Sequence, residues 1–277
     1  MNFLDEVARA KRAELNDVAE LISRCGTRTR HYGGQETLCS LSRARGTGRP
    51  FIIAEVKKAS PSKGAIAPQA PVARVARAFE EAGASAVSVL TERTWFGGSY
   101  DDLRAVCERV TVPVLNKDFV IDERQIDLAA ILGADLVLLI ADLLKDRLEE
   151  FVRACRARGL EPLVEARSAR EIDRARECGV RIIGINSRDL RSLDVDRNVF
   201  ARLSASVRVY REEAFFIAES GIRSEGEVVE LLELGYDGML IGERLMAASD
   251  GCEFLERIAH TSRDERTRAE RAPLRKE

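Results

Sequence analysis

The chain of 277 residues balances 44 lysines and arginines against 46 aspartates and glutamates, and 45% of its residues are hydrophobic. This composition is typical of a globular protein and argues against a general nucleic-acid or membrane-surface binder. No uninterrupted apolar run is long enough to cross a membrane, and the first residues contain no signal-peptide core, so a cytoplasmic location is expected.

The numbers and positions of the cysteines and histidines indicate which kinds of chemistry are not expected. Six cysteines are scattered without a C-x-x-C pair, which in a chain of this length indicates reduced structural thiols rather than disulfides or a zinc site. Neither of the two histidines, His31 and His260, lies near a predicted strand end. A histidine metal centre or a Ser-His-Asp triad is therefore not expected, and acid–base chemistry falls to lysine and glutamate.

A predicted helix precedes a repeating pattern of strands and helices. Residues 2–24 place apolar side chains along one helical face, and residues 25–50 are a polar, Gly- and Arg-rich connection with one short helix. From Phe51 onwards, short apolar runs alternate with helical segments, as in parallel strands covered by helices. Eight strands are predicted, at Phe51–Lys57, Ala86–Thr91, Val112–Lys117, Asp135–Ile140, Glu161–Glu165, Arg181–Asn186, Phe215–Ser220 and Gly238–Gly242.

Helix boundaries carry their own signals. Ser168 with Glu171, and Ser224 with Glu227, match the capping-box pattern at a helix start. Five glycines follow helical segments and precede strands, as left-handed glycines at helix ends do: Gly83, Gly133, Gly159, Gly179 and Gly235.

Eight strand–helix units predict an α/β fold, a single (β/α)8 TIM barrel with an N-terminal helical extension. A doubly wound open sheet shows the same alternation but more often has a Gly-rich fingerprint after its first strand, where this chain has charges and a Ser-Pro-Ser loop. Residues 1–50 are interpreted as an extension packed on the barrel, 51–260 as the catalytic barrel, and 261–277 as a charged, disordered tail.

Polar residues gather at the predicted C-terminal ends of the strands, which converge on one mouth in such a barrel. The first strand ends in Glu55 and Lys57 and leads into the cationic loop Ser60–Gly64, which we expect to close on a ligand. This stretch suggests a site for an anionic substrate, although an ordinary edge strand with solvated charges would show the same sequence pattern. The other polar ends are Lys117-Asp118-Phe119, Glu165, Asn186-Ser187-Arg188-Asp189, Glu219-Ser220-Gly221 and Gly242-Glu243.

The last two strand ends predict a phosphate site. Ser220-Gly221 and Gly242-Glu243 each stand where a strand gives way to a helix, and free backbone N–H groups at the positive end of a helix favour a phosphate. Barrels commonly hold phosphate after strands seven and eight. The same glycines would also fit simple tight turns.

Two lysines and two glutamates at one mouth predict proton transfer. A lysine flanked by other cations and partly desolvated has a lowered pKa, so it can donate a proton near neutral pH. A lysine at a barrel strand end could instead form a Schiff base, and the residues alone leave that alternative open.

A series of motifs at the strand ends resembles one family, the indole-3-glycerol-phosphate synthases of tryptophan biosynthesis. The resemblance spans about Phe51 to Met246 and suits the helical extension. It implies ring closure of 1-(2-carboxyphenylamino)-1-deoxyribulose 5-phosphate to indole-3-glycerol phosphate, with loss of CO₂ and water and without cofactor or metal. The matching runs are IAEVKKASPSK at 53–63, SVLT at 88–91, FGGS at 96–99, VLNKDF at 114–119, LVE at 163–165, GINSRDL at 184–190 and AESGI at 218–222.

The resemblance also implies roles for individual residues. Lys117 would protonate the ketose carbonyl oxygen, and Lys57 would pair with the substrate carboxylate and act in the dehydration. Glu165 and Glu55 would stabilise the cationic intermediate and accept protons as aromaticity returns. The remaining roles are to position hydroxyl and carboxylate groups (Ser60, Asn186, Arg188 and Glu219), to pack on the anthranilate ring unless they are plain core (Phe96 and Phe119), and to hold the phosphate (Ser220, Gly221, Gly242 and Glu243).

Two residues depart from the family pattern. Glu243 stands where some members have serine, so we expect its N–H to face the phosphate and its carboxylate to turn away. Ala59 stands where some relatives carry a basic residue, so one anion contact of the first loop is expected to be missing. The expected partner is a small phosphorylated molecule rather than nucleic acid or membrane, and the chain is expected to be a monomer or weak homodimer.

Other functions on the same fold are rivals to this one. Phosphoribosylanthranilate isomerase would need a cysteine and an aspartate at strand ends, and no predicted strand end here has a cysteine; tryptophan synthase α is another phosphosugar enzyme on a barrel. A silent barrel that only binds a phosphorylated ligand is disfavoured because all four acid–base residues are present.

Overall fold

The computed structural model describes residues 2–25 and 33–262. Within them, eight parallel strands form a closed barrel in which β1 pairs with β2 and β8 and the others pair in chain order. Each strand lies within two residues of its prediction, so the predicted (β/α)8 fold is confirmed. The strands are β1 Phe51–Val56, β2 Ala86–Leu90, β3 Val114–Lys117, β4 Leu136–Ile140, β5 Glu161–Ala166, β6 Ile182–Asn186, β7 Phe215–Glu219 and β8 Gly238–Ile241.

Alternation along each strand decides what enters the barrel. In β1, Ile52 and Ala54 pack outward against the helices, whereas Phe51 and Ile53 belong to the apolar cluster inside the barrel. Because side chains alternate with a period of two, the next inward position is Glu55. By the same rule, the inward position after Leu115 in β3 is Lys117, and the inward position after Leu163 in β5 is Glu165. Each strand therefore buries apolar residues below and presents its last inward residue at one mouth.

Helices surround the strands, and their ends match most of the sequence signals. All five predicted glycines have positive φ, between 69° and 108°. Ser224 and Glu227 form the predicted capping box. The box at Ser168 is incomplete, because the Glu171 carboxylate accepts from the N–H of Arg167, 2.7 Å away. The helices are α1 Phe3–Arg24, α2 Gly34–Thr47, α3 Val72–Glu81, α4 Tyr100–Arg109, α5 Glu123–Leu132, α6 Ala141–Leu144, α7 Leu148–Ala157, α8 Ala169–Glu177, α9 Asn198–Val209, α10 Glu225–Leu234, α11 Glu243–Ala247 and α12 Gly251–His260, with a 3₁₀ turn at Lys145–Arg147.

Helices α1 and α2 precede the barrel and reach its two ends. Phe3 at the start of α1 packs edge-on against Trp95, with ring centroids 5.5 Å apart, beside the mouth. Helix α2 lies at the opposite end, where Leu38 and Leu41 join the apolar cluster of the barrel interior. It has 14 residues and is longer than the short helix predicted there.

Some of the expectations concern residues outside the ranges that the structure describes. The predicted tail lies outside the described residues from 263 onwards, and so does His31. Within the two described ranges, no helix is long and apolar enough to cross a membrane.

Candidate active site

The last inward residues of the strands line one cavity of about 500 Å³ at the barrel mouth. All the residues predicted for the site line this cavity except Glu219. Glu219 joins them through Lys117, whose Nζ lies 2.8 Å from Glu219 Oε2. The structure therefore brings together side chains that are up to 188 residues apart in the chain, from Glu55 to Glu243.

Lys117 lies among carboxylates rather than cations. Its Nζ is 2.8 Å from Glu219 and 3.9 Å from Glu165 Oε2. Burial alone would lower the pKa of Lys117, but Glu219, Glu165 and Glu55 together raise that pKa well above its ordinary value. The predicted lowering of a site lysine's pKa is thus wrong for Lys117, because neighbouring negative charge outweighs desolvation. Its ammonium is therefore charged.

The two glutamates of the cavity, Glu55 and Glu165, have pKa values shifted in opposite directions. Burial, reinforced by the nearby charge of Glu219, raises the pKa of Glu165 to about 7, although Lys117 and a hydrogen bond from Asn186 act against it. Burial acts the same way on Glu55, but Lys57, Lys117 and Arg188 outweigh it and lower the pKa of that carboxyl. A pair of carboxyl groups with separated pKa values is the arrangement that divides acid and base roles between them.

Two glycines make room for these carboxylates. A Cβ on Gly242 would overlap Oε1 of Glu55, the atom that lies 2.7 Å from Lys57 Nζ. A Cβ on Gly184, at the middle of β6, would overlap Oε1 of Glu219. Neither glycine has a positive φ, so it is the space beside them, rather than their backbone conformation, that calls for glycine.

The predicted phosphate segments have different local structures. Gly242 is the residue that precedes α11 and therefore stands at a helix start, as predicted. Ser220-Gly221 does not, because the residue that caps α10 is Ser224. Ser220 and Gly221 instead have successive positive φ values of 68° and 75°, and the Ser220 carbonyl accepts from Ser187 Oγ, 3.0 Å away. A left-handed serine is strained, and such strain is concentrated at ligand sites.

The first loop crosses the cavity as a small hairpin. Ala59–Ser60 pairs in antiparallel fashion with Gly64–Ala65, and Lys63 at its turn places Nζ 3.7 Å from Glu243 Oε1. The Glu243 carboxylate therefore faces a cation of the loop. Closure of this loop on a ligand stays a prediction, as does the direction of the Glu243 side chain when a phosphate is present.

The residues predicted to position the substrate, except Glu219, line the cavity together with an apolar wall. The rings of Phe96 and Phe119 lie 6.2 Å apart, and Phe119 is buried. Ser60 Oγ accepts from the N–H of Lys63 at 3.3 Å. Asn186 Oδ1 accepts from the N–H of Arg188 at 2.9 Å, and the Arg188 guanidinium donates to the Leu193 carbonyl, also at 2.9 Å.

Sequence reasoning missed much of that wall. Leu138 and Ile140 of β4, with Leu190 and Leu193 of the loop after β6, also line the cavity. A search for polar strand ends passes over β4 because its last inward residue is Ile140. The period-two alternation through Leu136 and Leu138 would have identified it.

None of the six cysteines lines the cavity. Burial raises the pKa of the Cys155 thiol to about 12, which suits the structural role predicted for the cysteines. Among residues 2–25 and 33–262, no three His, Cys, Asp or Glu side chains are grouped as metal ligands.

Comparisons with known proteins point to one family. A family model described as indole-3-glycerol phosphate synthase matches residues 4–258. A relative of that name from Exiguobacterium sibiricum is 39% identical over 274 residues, which is 95% of this chain and 99% of the relative. Another, from Carboxydothermus hydrogenoformans, is 43% identical over 218 residues, 78% of this chain and 82% of the relative. A solved thiamine phosphate pyrophosphorylase from Pyrococcus furiosus superposes with a TM-score of 0.58 at 19% identity, over 78% of this chain and 96% of that one, and shares the fold alone.

Proposed function

The chain belongs to the indole-3-glycerol phosphate synthase family of carbon–carbon lyases, and we propose that its barrel mouth performs the family's ring closure by lysine and glutamate acid–base catalysis. The substrate is 1-(2-carboxyphenylamino)-1-deoxyribulose 5-phosphate. The product is indole-3-glycerol phosphate, formed in tryptophan biosynthesis with release of CO₂ and water. The observation that carries the proposed mechanism is the position of Lys117, charged and held between Glu219 and Glu165 at the mouth.

Bond formation comes first. The ring carbon that bears the carboxylate attacks the ketose carbonyl carbon, and the carbonyl oxygen takes a proton from Lys117. The raised pKa of Lys117 does not prevent this, because the oxygen approaches an alkoxide, which is a far stronger base than an amine. The carboxylates of Glu165 and Glu55 offset the positive charge that develops on the aniline nitrogen and ring.

Decarboxylation and dehydration restore aromaticity. The bond to the carboxylate breaks, CO₂ leaves, and its electron pair returns to the ring. The new hydroxyl then leaves as water with a proton supplied by Lys57, while a glutamate takes a proton from the carbon next to nitrogen. Glu165 suits the role of base because its pKa of about 7 lets it both accept and release protons near neutrality.

Binding groups hold the substrate across the mouth. The phosphate lies on the backbone of Ser220-Gly221 and Gly242-Glu243, and the anthranilate ring lies against Phe96 and Phe119. Ser60, Asn186, Arg188 and Glu219 orient the hydroxyl and carboxylate groups between these two anchors. Anchoring both ends of the substrate places the ring carbon near the carbonyl, which lowers the entropic cost of closure.

Replacement of the acid tests this mechanism. Lys117→Ala is expected to lower kcat by about a hundredfold to ten-thousandfold, the usual contribution of a general acid, as measured by the fluorescence of the indole product from the carboxyphenylamino-ribulose phosphate. Lys145→Ala, at an exposed lysine outside the cavity, serves as the control and should retain full activity. Full activity of Lys117→Ala would refute the assignment of the acid, and no product from the wild type would refute the function.

A further inference from the structure

A lysine is buried outside the cavity, on the helix that precedes the barrel. The Lys11 side chain in α1 is 2% exposed, and its Nζ lies 2.8 Å from Asp118 Oδ1 and 3.0 Å from Glu14 Oε2. Burial alone would lower the pKa of Lys11, but Asp118 and Glu14 outweigh it and hold the pKa above its ordinary value. A charged lysine therefore joins α1 to the residue that directly follows Lys117.

Asp118 collects donors from four parts of the structure. Besides Lys11, its carboxylate accepts from Thr91 Oγ1 at 2.7 Å, from the Tyr100 hydroxyl at 3.3 Å and from the N–H of Phe119 at 2.8 Å. Its side chain is fully buried. Asp118 is among the residues that line the cavity, but with both oxygens engaged by protein donors it acts through its neighbours rather than on the substrate.

Those neighbours are two groups of the site. Lys117, the residue before Asp118, is the proposed acid, and Phe119, the residue after it, forms part of the wall for the anthranilate ring. The Phe119 ring is also 6.2 Å from Phe3 at the start of α1. Holding the Asp118 carboxylate in place therefore also holds the backbone of residues 117–119, from which the Lys117 and Phe119 side chains project.

We propose that Lys11 and Asp118 are a positioning pair for the ring closure, through which α1 sets the placement of the Lys117 ammonium and the Phe119 ring. The proposal rests on the role proposed for Lys117. It gives a reason for an ion pair at this place, since a buried pair adds little stability over a well-packed apolar pair of the same volume but fixes orientation.

The chain offers a matched control at the other end of the barrel. Arg45 of α2 donates to both carboxylate oxygens of Asp237, at 2.8 and 2.9 Å, and the Asp237 side chain is fully buried. Asp237 directly precedes β8 and so lies away from the mouth. This pair also links a helix before the barrel to a strand, but neither of its residues is adjacent in sequence to a residue of the site.

The experiment compares Lys11→Met, Asp118→Asn, the double variant and Arg45→Met by kcat and KM, well below the unfolding transition of each. A positioning role predicts that Lys11→Met loses about tenfold in kcat with a KM change under about threefold, and that Arg45→Met keeps kcat within about twofold. Because Lys11 and Asp118 act as one unit, the double variant should lose about as much as the worse single variant.

Two outcomes overturn the proposal: a loss of less than about fivefold for Lys11→Met, or losses that multiply in the double variant. Should Lys11→Met fail to fold, Thr91→Val removes a donor to Asp118 at nearly constant volume, and the threshold is then a loss of about threefold in kcat. The proposed function is tested separately, because an inactive Lys117→Ala upholds the acid whatever Lys11 does.

Discussion

Single side chains in the mouth have protonation states that follow from their neighbours rather than from their type. Glu55 and Glu165 are both nearly fully buried, yet the pKa of Glu55 is lowered and that of Glu165 is raised. The difference lies in the partner. Glu55 has Lys57 2.7 Å away, whereas the nearest cation to Glu165, Lys117, is 3.9 Å away and bound to Glu219. Residue types alone do not reveal this division, because it depends on which strand ends meet.

The pKa of Glu165 predicts a pH dependence of catalysis. In its proposed role as a base Glu165 must be ionised, so kcat/KM, which reports the free enzyme, should rise with pH through about 7. Glu165→Gln should lose about a hundredfold in kcat and should also lose that limb of the profile. A pH–rate profile of both proteins checks this, and an unchanged limb in Glu165→Gln would assign the titration to another group.

The same shift predicts the opposite trend in stability. The folded-state pKa of about 7 lies above the ordinary 4.5, so the folded protein holds this proton more tightly. The stability that the proton confers is complete below 4.5 and is lost as pH rises through 7. Glu165→Gln cannot ionise, so its free energy of unfolding in urea should gain on the wild type between pH 5 and pH 8. An equal difference at both pH values would contradict the shift.

Individual strands and helices show where sequence patterns suffice. All eight strands were predictable because each is a mostly apolar run of four to six residues between helical segments, and five of them follow a glycine at a helix end. Helix α2 was underestimated because its sequence, GQETLCSLSRARGT, is polar over most of its length; it is held by contacts of Leu38, Leu41 and Arg45 with distant strands. The true start of α10 did have a local signal, because the capping box of Ser224 and Glu227 places it at Glu225, four residues after Gly221; the assignment of Ser220-Gly221 to a helix start conflicts with that box.

The buried lysine of α1 had a signal in the sequence. Lys11 follows Leu4 by seven residues and Val7 by four, and therefore falls within the apolar stripe of the helix. A cation in such a stripe either reaches solvent along its stem or has an acidic partner. The partner, Asp118, is 107 residues away in the chain and could not be identified from helical spacing.

A methyl group added at Gly184 in β6 should impair catalysis while the protein still folds. Gly184→Ala would push aside Glu219 Oε1 and Leu163 Cδ2, and because both atoms lie at the ends of side chains, the fold can adjust while the contact of Glu219 with Lys117 suffers. We expect a loss of about tenfold or more in kcat with a cost in stability of about 1–3 kcal/mol, as for overpacking in general. Kinetics and urea unfolding of the same preparation measure both.

Gly226→Ala is the matched control, since nothing lies near a Cβ there. It should keep kcat and slightly raise stability, because alanine favours the α10 helix over glycine. Full activity of Gly184→Ala would show that the Glu219 carboxylate tolerates displacement.

For the whole molecule, the helices before β1 connect the barrel's two ends. Lys11 and Phe3 contact residues near the mouth, and Arg45 makes its contacts where the strands begin. The Arg45 guanidinium makes four hydrogen bonds, two to Asp237 and one each to the carbonyls of Arg211 and Ala214, and these join α2 to segments far along the chain.

Arg45→Met should therefore destabilise the protein without altering its chemistry. It leaves the fully buried Asp237 without its main cation, which we expect to cost about 2–4 kcal/mol in the free energy of unfolding, somewhat less than for a fully buried pair. Urea unfolding curves give this value. A change below about 0.5 kcal/mol would mean that Arg211, whose Nη2 lies 3.7 Å from Asp237, replaces Arg45.

The space beside Gly184 and Gly242, which the carboxylates of Glu219 and Glu55 occupy, has a consequence for maps of mutational tolerance. A saturation library scored by growth without added tryptophan would mark both positions as intolerant, although Gly184 touches no substrate. Such a score would ordinarily suggest a ligand contact or a special backbone angle. Here it would report volume kept free for a neighbour's carboxylate, so that a second change which shortens that neighbour, such as Glu219→Asp, is the kind of partner mutation in which tolerance could reappear.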